Sequence, residues 1–164
     1  MQGRGKLKLI ENMKKFFMMA LIAVATLCGA VSAHAQKADD IIGKYESKQG
    51  DDEYKVEITK KADGTYKAQL FWVKDPIDHA TGKVALDPKN PDKSLRGVRC
   101  DQIVLIDGLH FNAEKKQWDK AKIYDPQRGI KVSATAKFVP DGRLSIRGSV
   151  LGIGETIYWK RIKE

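Results

Sequence analysis

Ile130, Val132, Ala134, Ala136 and Phe138 alternate without a break with Lys131, Ser133, Thr135 and Lys137, and this period of two constrains the fold most. Successive side chains of a β-strand point to opposite faces, so such a segment buries one face and wets the other. The rhythm recurs along the chain. Tyr54, Val56 and Ile58 alternate with Lys55, Glu57 and Thr59; Ala62-Asp63-Gly64 makes a turn; Tyr66, Ala68, Leu70 and Trp72 then form the second arm of a hairpin. Pro140-Asp141-Gly142 turns the chain again before Leu144 and Ile146, and a last strand runs from Glu155 to Ile162. Ile103 to Ile106 is a continuous apolar run, which predicts a strand covered on both sides. Shorter pieces at 43–47, 109–111 and 120–124 bring the count to about eight, and only 38–42 suggests a helical turn.

Many short antiparallel strands fit either a sandwich or a closed up-and-down barrel. Eight strands close around an interior that side chains, or one small ligand, can fill. Gly43-Lys44-Tyr45 opens the first strand and Trp159-Lys160-Arg161 closes the last. This resembles the lipocalin-type (calycin) arrangement, in which an aromatic on the first strand stacks with an arginine on the final one. The reading is an all-β, antiparallel up-and-down β-barrel, lipocalin-like, with Tyr45, Trp159 and Arg161 as its closure.

Met13 to Gln36 has the order of a bacterial secretory signal: Lys14 and Lys15, an apolar core from Phe16 to Val31, then Ala33-His34-Ala35. That order predicts cleavage between Ala35 and Gln36 and a periplasmic or secreted protein, with no transmembrane segment left after cleavage. The core, roughly 16 residues, is short for a spanning helix, which wants about 20. Residues 1–12 precede a complete signal and read as an extension of the gene start. Cys28 lacks the small residue before it that lipid attachment wants, having Leu27 instead. Residues 36–164 are then a single domain with 25 basic and 20 acidic residues. A balance near +5 suits anionic envelope components, but no basic run interleaves with aromatics, which argues against nucleic acid. Cys100 is the one cysteine in that domain, so it forms no internal disulfide.

The segment 74–99 is too long for an ordinary connection between strands. It contains D-P-x-D-x-x-T-G-K at 75–83 and D-x-x-N-P-D-x-x-L-R-G at 87–97. W-x-x-x-x-I-Y-D-P-x-x-G follows at 118–129, and W-x-R at 159–161. In that order these motifs resemble the bacterial domain of unknown function 2147 family, across nearly the whole domain. The resemblance implies an exported envelope protein with a lipocalin-like barrel and brings no assigned activity. The opening Gly-x-Tyr departs from the family's more frequent Gly-x-Trp.

Function is expected at the connector. Asp78, Asp87, Asn90 and Arg96 are expected to cluster with the turn Tyr124–Gly129, Asp125 included, beside the barrel mouth. Arg96 either meets an anionic ligand through its planar fork or pairs with Asp87 or Asp125. Trp72 and Trp118 either line a pocket or belong to the core. The acidic spacing fits no calcium loop, no set of zinc ligands appears, and no cofactor or metal is expected. Cys100 with His79 or His110 is the remote hydrolase alternative, and Ser149 misses the G-x-S-x-G elbow. The reading is a non-catalytic exported protein that binds a small amphipathic or anionic ligand at the mouth. The alternative is a packed barrel that meets protein or glycan in the envelope. Oligomeric state is not legible in the sequence.

Overall fold

The alternating segments curl into one closed sheet. The computed structural model describes residues 36–163; the signal, its cleavage site and Cys28 lie outside the described residues. Strands β1 (Gly43–Gln49), β2 (Asp52–Lys60) and β3 (Tyr66–Val73) come first. A small hairpin, β4 (Ile77–Asp78) with β5 (Lys83–Val84), lies within the connector. Then come β6 (Val104–Asn112), β7 (Gln117–Asp125), β8 (Ile130–Phe138), β9 (Leu144–Val150) and β10 (Ile153–Arg161). All but β4 and β5 form a closed antiparallel barrel in the order β1-β10-β9-β8-β7-β6-β3-β2.

This up-and-down path gives the barrel two unlike ends. The connections after β1, β3, β7 and β9 gather at one end, which includes the long connector. The other end holds a 3-10 turn, Ala38–Ile41, and the connections after β2, β6 and β8. That turn closes it: Ile41 is fully buried, and Trp118 Nε1 donates to the Ala38 carbonyl at 3.0 Å.

The interior is filled. Tyr45, Tyr66, Trp118 and Trp159 are at most 1% exposed. Trp118 meets Phe111 and Phe138 with ring centres 5.2 and 5.7 Å away, and Ala136 stands directly opposite it on β8. Nearer the open end, a methyl on Gly148 would come within 3.0 Å of Val132 and 3.2 Å of Ile123. Ala136 and Gly148 thus make room for large neighbours, as close packing requires. At these two positions the space beside a small inward residue is taken by its neighbours.

Closure rests on Arg161. Tyr45 pairs with Arg161 in register, and the guanidinium lies 4.8 Å from the Tyr45 ring centre. Nη1 donates to Ile42 O at 2.7 Å and Nη2 to Tyr45 Oη at 2.6 Å and to Asp40 O. Gly43 (φ 144°) is required here, because a side chain would occupy the guanidinium's place.

The apolar run 103–106 and the piece 109–111 are parts of a single element rather than two. Ile103 ends a 3-10 turn (Cys100–Gln102), and β6 starts at Val104. Against β3 its register shifts twice: Ala68 faces Ile106 while Gln69 faces Val104, and Lys67 faces Asp107 while Tyr66 faces Leu109. Leu105 and Gly108 are the extra residues, and each such bulge resets which face a side chain takes. Coverage on both sides is local: Leu105 is 6% exposed and Ile106 1%, but Val104 is 37% exposed.

Candidate functional site

Asp87 is a carboxylate at 2% exposure, and burying such a group is costly unless hydrogen bonds satisfy it. Tyr124 Oη donates to one oxygen at 2.7 Å and Asn90 Nδ2 to the other at 2.7 Å. Asn90 in turn accepts from Asp92 N at 2.9 Å, while its own carbonyl accepts from Arg96 Nε at 2.8 Å. Burial and the Asp87 carboxylate push the Tyr124 phenol well above its ordinary range, so it stays a donor. Residues 87–96 are thereby wound around one buried carboxylate and fastened to the end of β7.

Further contacts tie the connector to the β7–β8 turn. Lys89 Nζ donates to Gln127 O at 2.7 Å, and Gln127 Nε2 to Asp52 at 3.1 Å. A side chain at Gly129 would stand 2.5 Å from the Lys89 carbonyl, so only glycine permits this approach. Asp87, Asn90, Arg96 and the turn after Tyr124 therefore come together at the open end, as the sequence suggests.

Several expectations need correction. Asp78 does not join the cluster; it accepts from Ala80 N at 2.8 Å within the β4–β5 hairpin. Asp125 caps its own turn through Gln127 N and Arg128 N at 2.9 and 3.1 Å. Arg96 forms no ion pair with Asp87 or Asp125 and holds the Asn90 carbonyl instead. Trp118 belongs to the core at the closed end, and Trp72 lies on the surface with Lys55 Nζ 4.9 Å from its ring centre. Burial and Asp101 push the Cys100 thiol up, and its Sγ faces the Pro76 carbonyl at 3.6 Å. His79 is bound to Asp75 at 2.7 Å.

The main cavity is not at the barrel mouth. It is a groove of about 990 Å³ on the outer wall, between the connector and the solvent-facing side of β3, β6, β7 and β8. Register shows which side chains make its floor: Lys67 stands opposite Asp107, Asp107 opposite Lys122, and Lys122 opposite Ser133. These positions alternate with the buried Ala68, Ile106 and Ala134, so they point outward. Lys120 and Lys131 add to the floor, while Leu95, Val98 and Leu105 give it an apolar side. Lys120 (φ 61°) sits in the bulge between Trp118 and Ala121, which turns it toward the groove.

The groove's charges are unevenly matched. Its two carboxylates are occupied, Asp87 as described and Asp107 by Lys61 Nζ at 2.9 Å. Lys67 Nζ has a neutral partner, Gln69 Oε1 at 2.9 Å, and Lys131 lies over the Tyr124 ring at 5.9 Å. Among the described residues none of Lys67, Lys120, Lys122 and Lys131 forms an ion pair. These lysines are the site residues that sequence reasoning missed. Each is an ordinary polar position of an alternating strand, and only the register brings them together. Their one sequence signal is lysine at polar positions of β3, β7 and β8, which any exposed strand face could carry.

Residues 43–161 match the model of a family described as an uncharacterized protein conserved in bacteria, DUF2147. Among solved structures, the chain is similar to protein HP1028 from Helicobacter pylori, described as belonging to the lipocalin family. The TM-score is 0.59 and the identity 21%, over 76% of this chain and 84% of that one. At this identity the likeness speaks for the fold. No curated protein matches the chain.

Proposed function

The chain belongs to the DUF2147 family, and on that premise we propose that it is an exported, non-catalytic envelope protein that binds a small anionic amphiphile in the outer-wall groove. One observation carries the reading: four lysines without ion pairs face a groove whose carboxylates are already engaged. Next to them Leu95, Val98 and Leu105 offer apolar surface. An anionic head group suits the lysines, whose long stems can also lie along a hydrocarbon tail. Export rests on the signal-like order of residues 13–36. Among the described residues no helix is long and apolar enough to cross a membrane.

The test is calorimetric titration of the protein with laurate, and with dodecanol as the uncharged control. Saturable binding of laurate is expected, with dodecanol weaker. Lys67→Ala together with Lys122→Ala should weaken laurate about tenfold, the equivalent of about 1.4 kcal/mol. Unchanged affinity in that variant, or no saturable binding by the parent, sinks the reading. The packed interior also favours a second reading, a barrel whose polar loop face meets protein or glycan; it predicts no saturable amphiphile at all.

A further inference from the structure

The β9–β10 hairpin ends in Val150-Leu151-Gly152-Ile153, and these aliphatic side chains are 57%, 98% and 84% exposed for Val150, Leu151 and Ile153. Val150 and Ile153 are cross-strand partners, so with Leu151 they form one apolar knob at the apex. The turn itself sharpens the anomaly. Leu151 has φ 51° and Gly152 φ 83°, the backbone of a type I′ turn. The first central position of that turn favours Asn, Asp or Gly, because left-handed backbone crowds a Cβ. Leucine here is unfavourable twice over, in backbone conformation and in exposure. A leucine in this strained, solvent-facing position points to a role for its side chain.

The surroundings indicate what the knob meets. At the same end Leu86 and Ile130 are 50% and 44% exposed. At the base of the knob Arg147 Nη2 donates to Gly152 O at 3.1 Å. Among the described residues its guanidinium has no carboxylate partner. A guanidinium without a carboxylate partner, beside aliphatic side chains, matches a phosphate head group above hydrocarbon. The domain's excess of basic residues, 25 against 20, favours approach to an anionic surface.

The geometry points to a membrane-docking hairpin: Val150, Leu151 and Ile153 enter the surface of an anionic phospholipid bilayer while Arg147 holds a lipid phosphate. This role is separate from the groove and does not need it.

Sedimentation with vesicles tests it. Protein expressed from the full chain, its N-terminus read by mass spectrometry, is mixed with vesicles of phosphatidylcholine alone or with added phosphatidylglycerol. Binding that rises with phosphatidylglycerol is expected. Leu151→Asn with Ile153→Thr, on the same N-terminus, should lower the partition about tenfold. Its melting temperature should hold or rise, because Asn suits the turn. Arg147→Gln should abolish the preference for phosphatidylglycerol, and Arg147→Lys should keep most of it. Equal partition of the double variant and the parent overturns the proposal, as does a parent that binds no vesicle. Self-association in the ultracentrifuge that the double variant abolishes would assign the knob to a second copy, and overturns the lipid assignment.

Discussion

Arg161 joins the barrel's closure to its floor through three oxygen acceptors, on the 3-10 turn, on Ile42 that caps it and on β1. The sequence places Arg161, Tyr45 and Trp159 at the joining strand ends, and the structure agrees. The carbonyls of Asp40 and Ile42 were not legible, because backbone acceptors carry no residue signature. They make the arginine more than a lid on an aromatic ring: hydrogen bonds from a charged donor contribute about 1.5–3 kcal/mol. Arg161→Ala should thus cost about 2–3 kcal/mol in urea unfolding, well beyond the ~1 kcal/mol of ring stacking alone. Trp159→Ala should cost about 3–5 kcal/mol, since the ring is fully buried and its Nε1 also serves Tyr54 Oη at 3.1 Å. Arg161→Ala losing as little as a surface substitution would remove the latch. Alkaline unfolding gives an independent check. Burial pushes the Tyr45 phenol up to about 12, with Arg161 opposing. An unfolded phenol ionises near 10, so the folded protein holds this proton more tightly. Its contribution is complete below pH ~10 and is lost as pH rises toward ~12. Tyr45→Phe should flatten the fall in urea midpoint across that window, and an equally steep fall in the variant would place the cause elsewhere.

At the scale of elements, alternation made the strands legible wherever each face has one environment, as in β8. It failed in β6, where two bulges shift the faces and the connector buries part of the outer wall. The connector's importance was legible from its length and its Asp, Asn and Pro content. Its partner, the polar turn Tyr124–Gly129, was legible for the same reason; what was not is the Tyr124–Asp87 contact, which needs the register that turns Tyr124 outward beside Lys131. The ligand expectation went to the barrel mouth by default, since nothing in a sequence tells a filled barrel from a hollow one. Ala136 illustrates this: it is the space into which Trp118 fits. The buried Asp87 now predicts how the connector is held. Tyr124→Phe leaves one Asp87 oxygen without its donor, a loss of about 1–3 kcal/mol. Amide hydrogen exchange should quicken across residues 86–103 while β1, β9 and β10 stay protected. Protection lost evenly around the barrel would mean that the connector is part of its global stability.

At the scale of the molecule, the two barrel ends divide the work. The closed end carries the 3-10 turn, Trp118 and the Arg161 latch; the open end carries the connector and the exposed hairpin. Every strand of the barrel, the closing turn and the latch come from residues 38–161. A chain beginning at Gln36 should therefore fold by itself, with a single cooperative urea transition. This bears on the expected export. A signal peptidase leaves a stable product only if the remainder holds every element of the fold, and residues 36–163 contain the whole barrel. Protein isolated from its own host should then begin at Gln36, seen as the N-terminal peptide in mass spectrometry, and carry no lipid. An intact N-terminus at Met1 or Met13, or a diacylglycerol on Cys28, would overturn the cleavage. A chain starting at Gln36 that unfolds in two steps, or not cooperatively at all, would show that the barrel draws on residues before it.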